Sequence, residues 1–215
     1  MHDVRFPGES DAYRSKRNEL LEAEAELRAK IEQVAALRRE LPLGGEVENY
    51  TFTTPTGPVS MLDLFGEHQT LVIYSYMYGP EDENPCPMCS AYVDSLNGQM
   101  KHLSQRMSFV LAARAPMDKI QTLVEQRGWH DAPWVSASEN TYAQDYKSEM
   151  PNGAQVPMCN VFVREGDTIR HFWTSELFFV GWDNHPRHVD MQWPLWHYFD
   201  ITPEGRGDFM PRLNY

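Results

Sequence analysis

The chain has 215 residues, 41% of them hydrophobic, and a formal net charge of -12. That length and apolar content suit one domain with a full core, plus an appendage. The acid excess argues against a nucleic-acid partner, because phosphate recognition needs clustered Lys and Arg, and against adhesion to anionic membranes.

Residues 1–20, MHDVRFPGESDAYRSKRNEL, lack the continuous apolar stretch of a signal peptide. No run is long enough to span a bilayer, so a soluble cytoplasmic protein is expected. Residues 11–41 are rich in Ala, Leu, Glu and Arg and free of Gly and Pro, which predicts one long helix. Leu20, Leu27, Ile31, Val34 and Leu41 recur at spacings of three, four and seven and make a narrow apolar stripe. Such a stripe either packs on its own domain or joins two chains as a homodimer arm. PLGGEVENY (42–50) breaks the helix. The expected division is a helical arm, 1–44, and a second domain, 45–215.

From residue 50 onward, strand and helix signals alternate. YTFTTPTGPVSMLDLFG (50–66) holds a Pro-Thr-Gly turn between short strand-like pieces. QTLVIYSYMY (69–78) is an almost unbroken β-branched and aromatic run, which suits a strand buried on both faces. PMCSAYVDSLNGQMKHLSQR (87–106) predicts a helix with Pro87 in its first turn. MSFVLAAR (107–114) predicts a second buried strand, and PMDKIQTLVEQRGW (116–129) a helix stopped at Gly128. APWVSAS (132–138) suits a short strand, and 156–175 a hairpin turned at Glu165-Gly166-Asp167. The tail beyond 175 is aromatic-rich, with PLWHYF (194–199) as a final helix. The order predicts an α/β fold whose sheet has parallel central strands flanked by helices.

The chain has three cysteines, too few for a secreted disulfide framework. Cys86 and Cys89 sit between the carboxyl end of a central strand and the start of a helix, where open α/β sheets place their chemistry. Cys86 falls at or beside the N-cap, so unpaired first-turn amides can favour its thiolate. Cys89 lies one turn on, shielded, and close enough to resolve a mixed disulfide. Cys86 is therefore the expected nucleophile and Cys89 the resolving thiol. Glu81, Asp82 and Glu83 oppose this if they lie close, since like charge disfavours thiolate. The helix terminus is expected to outweigh these screened loop charges.

The strand–CPMC–helix arrangement resembles the thioredoxin superfamily, and QVPMCNVFVREGD (155–167) resembles the segment carrying that superfamily's cis-proline. The resemblance implies a thioredoxin-like mixed sheet. It also implies a cis bond between Val156 and Pro157, with Pro157 facing the cysteine pair and the two helping to present substrate backbone. FTTPTGPVSMLDLFGEHQTLVIYSYMYGP (52–80) resembles the entry to the peroxiredoxin-like branch. MYGPEDENPCPMCSAYVDSLNG, AARAPMDKIQTLVEQRGW, PWVSASENTYAQDY and HYFDITPEGRG are similar to the bacterial domain of unknown function 899 family, whose members are labelled predicted dithiol-disulfide isomerases. Cys159, two residues past the matched proline, departs from the thioredoxin pattern and is either a third redox thiol or a buried one.

The expected function is thiol–disulfide oxidoreduction on a disulfide-containing protein or a small thiol substrate, with no dissociable cofactor and no metal. Two alternatives stand beside it. One is a metal-binding or partner-binding module on the same scaffold. The other is a thiol peroxidase, disfavoured because Glu83 stands three residues before Cys86 where that branch carries a hydroxyl residue. A structural zinc would want a second ligand pair. His185 and His188, flanked by Asp183 and Asp190, have a suitable spacing but read better as solvated loop residues. Trp173, Trp182, Trp193 and Trp196 read as core, as do Trp129 and Trp134.

Overall fold

A computed structural model describes residues 4–181 and 188–214. The chain forms two compact units, Met1–Pro42 and Leu43–Tyr215. The first is built on helix α1, Asp11–Arg39, whose N-cap Ser10 accepts from the Tyr13 amide at 3.1 Å. The helix ends two residues before the predicted Leu41, because a residue ahead of proline avoids the helical region and Pro42 follows. Along the predicted stripe, Leu20, Leu27, Ile31 and Leu41 are exposed and Val34 is half-buried.

Among its described residues the second unit holds eight strands: β1 (Glu46–Val47), β2 (Thr51–Thr54), β3 (Gly57–Ser60), β4 (Thr70–Tyr76), β5 (Ser108–Ala113), β6 (Trp134–Ser136), β7 (Met158–Glu165) and β8 (Thr168–Thr174). The helices between and after them are α2 (Met61–Leu64), α3 (Pro87–Asn97), α4 (Met100–Leu103), α5 (Met117–Arg127), α6 (Tyr142–Asp145) and α7 (Pro194–Asp200). One mixed sheet runs β1-β8-β7-β4-β5-β6-β2-β3. β4, β5 and β6 are parallel; β7 returns antiparallel to β4 and turns into β8. This β5-β4-β7-β8 centre, with helices on both faces, is a thioredoxin-like fold.

The period of two explains why β4 reads as an unbroken apolar run. Leu71 and Ile73 point to a core with Phe52, Phe65, Val110 and Phe162. Val72, Tyr74 and Tyr76 point the other way, to α3, α5, Trp129, Trp134, Trp193 and Trp196. Large side chains of this kind stabilise by roughly 1.5–3 kcal/mol each when fully buried. The crossovers β4-α3-β5 and β5-α5-β6 advance in one direction, so α3 and α5 share that second face.

One expectation is corrected. The helix predicted over 87–106 breaks at Gly98 into α3 and α4, since glycine there costs backbone entropy and its N–H caps onto the Leu96 carbonyl. The predicted hairpin forms, with Glu165 paired to Thr168 and Gly166 at φ 63°, a left-handed conformation that glycine adopts without a Cβ penalty. Outside the hairpin, β1 pairs with β8. Trp182 and His185 lie outside the described residues. Among the described residues no helix is long and apolar enough to cross a membrane.

Candidate active site

Loop 77–86 joins β4 to α3, and its backbone is tied down along its length. The Cys86 N–H donates to the Met77 carbonyl at 3.1 Å. Lys119 of α5 donates to the carbonyls of Pro80, at 3.0 Å, and of Gly79 and Asp82. Its ammonium also sits 4.6 Å from the centre of the Tyr78 ring. Asp82 accepts from the Gly79 amide at 2.6 Å and from the Gln155 side chain at 2.7 Å. A Cβ on Gly79 would meet Gln155 Nε2 at 2.5 Å and Asp82 Oδ2 at 3.0 Å. Gly79→Ala is therefore expected to cost about 1–3 kcal/mol in urea denaturation, by breaking the Gln155–Asp82 bond in a half-buried site.

Cys86 is the N-cap of α3, with Pro87 at the first helical position. Its backbone is extended, and its sulfur accepts from the Cys89 amide at 3.5 Å. Ser90 Oγ donates to the Cys86 carbonyl at 2.9 Å, and Tyr76 from β4 holds Ser90 at 2.6 Å. The start of α3 is thus bolted to the central strand. Cys86 is half-buried, Cys89 is 1% exposed, and both are free thiols.

The two sulfurs differ sharply in acidity. The Cys89 thiol beside Cys86, with the Cys89 and Met88 amides, holds Cys86 down at about 6 against the opposing pull of burial. Burial pushes Cys89 well up, reinforced by its bond and charge contact with Cys86. The Tyr74 hydroxyl donates to Cys89 Sγ at 3.4 Å and partly opposes that rise. The shared proton therefore resides on Cys89. The loop acids do not set the Cys86 acidity. Glu81 and Glu83 are exposed, and Asp82 is engaged by Gly79 and Gln155.

Cys86 and Cys89 open onto a cavity of about 490 Å³ whose wall also includes Tyr74 and Pro157. Pro157 thus shares a cavity wall with the two cysteines. Val156 is buried, its N–H donating to the Ser148 carbonyl at 2.8 Å, and does not line the cavity. Cys159 pairs with Tyr74 across β7 and β4, is 2% exposed, and is pushed by burial up to about 12. It too lies off the cavity wall.

The tail supplies residues that sequence reasoning missed. His188 is not a solvated loop residue: it is buried, and its Nδ1 lies 3.0 Å from Ser175 Oγ, which also accepts from the Cys159 amide at 3.0 Å. Trp193 and Trp196 are core, as expected, but they also line the cavity, with Phe209 and Arg206. Arg206 bridges Asp190 and Asp200 at 2.6 Å each and stacks 5.2 Å from Trp196. The density of aromatic residues after 175 was the available signal. Among the described residues no three His, Cys, Asp or Glu side chains gather as a metal site.

No curated protein matches the chain. Solved structures similar to it include a hypothetical protein from Sinorhizobium meliloti, 13% identical, TM-score 0.47, covering 71% of this chain and 81% of that one. Peroxiredoxin Q from Xanthomonas campestris is 17% identical, TM-score 0.46, covering 63% and 84%. The peroxidoxin BcpB from Mycobacterium tuberculosis is 19% identical, TM-score 0.47, covering 63% and 85%. The family described as "Bacterial protein of unknown function (DUF899)" has a sequence model that matches residues 4–214, from the helical arm through the cysteine loop to the aromatic tail, and the chain belongs to it.

Proposed function

We propose that the chain is a thiol–disulfide oxidoreductase with Cys86 as nucleophile and Cys89 as resolving thiol. The observation that carries this reading is the asymmetry of the pair: an accessible sulfur at a helix N-cap beside a buried sulfur that keeps the proton. The Cys86 thiolate attacks one sulfur of a disulfide R–S–S–R′, forming Cys86–S–S–R and expelling R′–S⁻. The Cys89 proton passes to R′–S⁻. The Cys89 thiolate then attacks the Cys86 sulfur and releases R–S⁻, leaving a Cys86–Cys89 disulfide. Two electrons move from the dithiol to the substrate. Pro157 lines the same cavity, which supports a role for it in contacting the bound substrate. Peroxide reduction is less well supported, because among the described residues no Ser or Thr hydroxyl lines the cavity.

Equilibration in glutathione redox buffers, followed by peptide mapping, tests this. The expected result is a Cys86–Cys89 disulfide with Cys159 still a thiol. The thiolate stabilises the reduced form, so the potential should lie above the roughly -270 mV of thioredoxin. Stoichiometric zinc on the cysteines, with no intramolecular disulfide at any buffer ratio, would replace the redox reading with a metal site.

A further inference from the structure

We propose that the cavity beside Cys86 is a binding site for neutral, aromatic disulfides of low molecular mass, which makes these the substrate class of the dithiol. The inference rests on the oxidoreductase reading for its chemistry and on the cavity for its selectivity.

Three observations support it. First, described residues after β8 wall in the dithiol. Phe178, His188, Trp193, Trp196, Arg206 and Phe209 all line the same space as Cys86. A protein disulfide needs a flat approach to the sulfur, whereas a space of about 490 Å³ lies in the range of roughly 300–1,000 Å³ usual for small-molecule sites. Second, methionines and aromatic rings dominate the apolar wall: Met77, Met88, Phe178, Trp193, Trp196 and Phe209. Methionine and aromatic rings suit flat, polarisable ligands.

Third, the polar side chains on the wall are engaged within the protein. Gln155 Nε2 donates to Asp82, His188 Nδ1 meets Ser175 Oγ, and Tyr74 donates to Cys89. Arg206 is held between Asp190 and Asp200, so its charge is neutralised. The net charge of -12 further repels anions such as oxidised glutathione. What is left for recognition is shape and apolar contact, next to a thiolate that needs a disulfide.

The chemistry follows the scheme above with R and R′ as aryl groups. The dithiol is oxidised to the Cys86–Cys89 disulfide and the diaryl disulfide is reduced to two arylthiols. A small dithiol reductant such as dithiothreitol returns the protein to its reduced form.

Binding separates from chemistry if the probe lacks an S–S bond. In calorimetry, the full chain carrying Cys86→Ser is expected to bind 4,4′-thiodipyridine, a neutral aromatic thioether, saturably and with a stoichiometry of about one. Bis(2-hydroxyethyl) sulfide, its polar counterpart, should show no saturation over the same concentrations. Phe209 is 38% exposed, so Phe209→Ala should fold, and it should weaken aromatic binding roughly tenfold through the lost ring contact. On the reduced wild-type chain, the rate with 4,4′-dithiodipyridine should saturate, while that with oxidised glutathione should stay linear. Equal binding of the two thioethers, no binding of the aromatic one, or saturation by glutathione or insulin disulfides at lower concentration overturns the inference and leaves the oxidoreductase reading standing. Aromatic binding without a Cys86–Cys89 disulfide in glutathione buffers removes the oxidoreductase reading, and with it the substrate assignment.

Discussion

Cys89→Ser is expected to accumulate mixed disulfides through Cys86, while Cys86→Ser loses exchange down to the rate without protein. The first variant keeps the attacking sulfur but removes the group that expels the bound thiol. The Cys86–S–S–R adduct then waits for an external thiol. The second variant removes the only sulfur that is both accessible and ionised near neutral pH. Cys89 cannot substitute, being 1% exposed and protonated well above the usual thiol range. Cys159 cannot either, being 2% exposed and pushed up to about 12. Mass spectrometry of each variant after exposure to a disulfide checks both outcomes. A stable adduct on Cys89 in Cys86→Ser would reverse the assigned roles.

Alkylation of the reduced protein by iodoacetamide should follow a titration centred near pH 6, with Cys86 labelled first. The sign follows from the geometry: amide donors and the Cys89 thiol stabilise the thiolate, so the rate rises as pH rises through about 6. Magnitudes decide where to measure. At pH 7 a thiol with pKa about 6 is ~90% ionised, against ~3% for an ordinary thiol near 8.5. The lower basicity of the thiolate costs about tenfold in intrinsic reactivity, so the net advantage there is only about threefold. At pH 5.5 ionisation differs by about 240-fold, and the net advantage grows to roughly twentyfold. The pH 5.5 rate is therefore the sharper measurement. Labelling of Cys89 or Cys159 ahead of Cys86 at that pH would contradict the assigned acidities.

Much of this site was legible because its first layer is local. An N-cap cysteine, a proline in the first turn and a second cysteine three residues on are set by helix geometry over one turn. The buried strand before them and the Gly166-Asp167 hairpin after them come from period-two patterning and turn chemistry, also over a few residues. The helix break at Gly98 was visible in principle, but the apolar and basic residues on either side masked it.

What the sequence by itself determined is the α/β order, the cysteine pair at the start of α3 and the hairpin that follows. Each is decided by backbone preferences acting over one to two turns or one strand. Tertiary structure alone decided the fate of the loop acids, the burial of His188 and the character of the cavity. Asp82 is engaged by Gln155, 73 residues away, and Trp129 by Asp94, 35 away. Tyr92 meets Gln192 across 100 residues, and that contact helps fix where the tail lies. Such partners satisfy hydrogen bonds and fill space only after the chain has folded back, so no local pattern encodes them. The reactive sulfur is a property of one helix turn; what it is allowed to meet is a property of the whole domain.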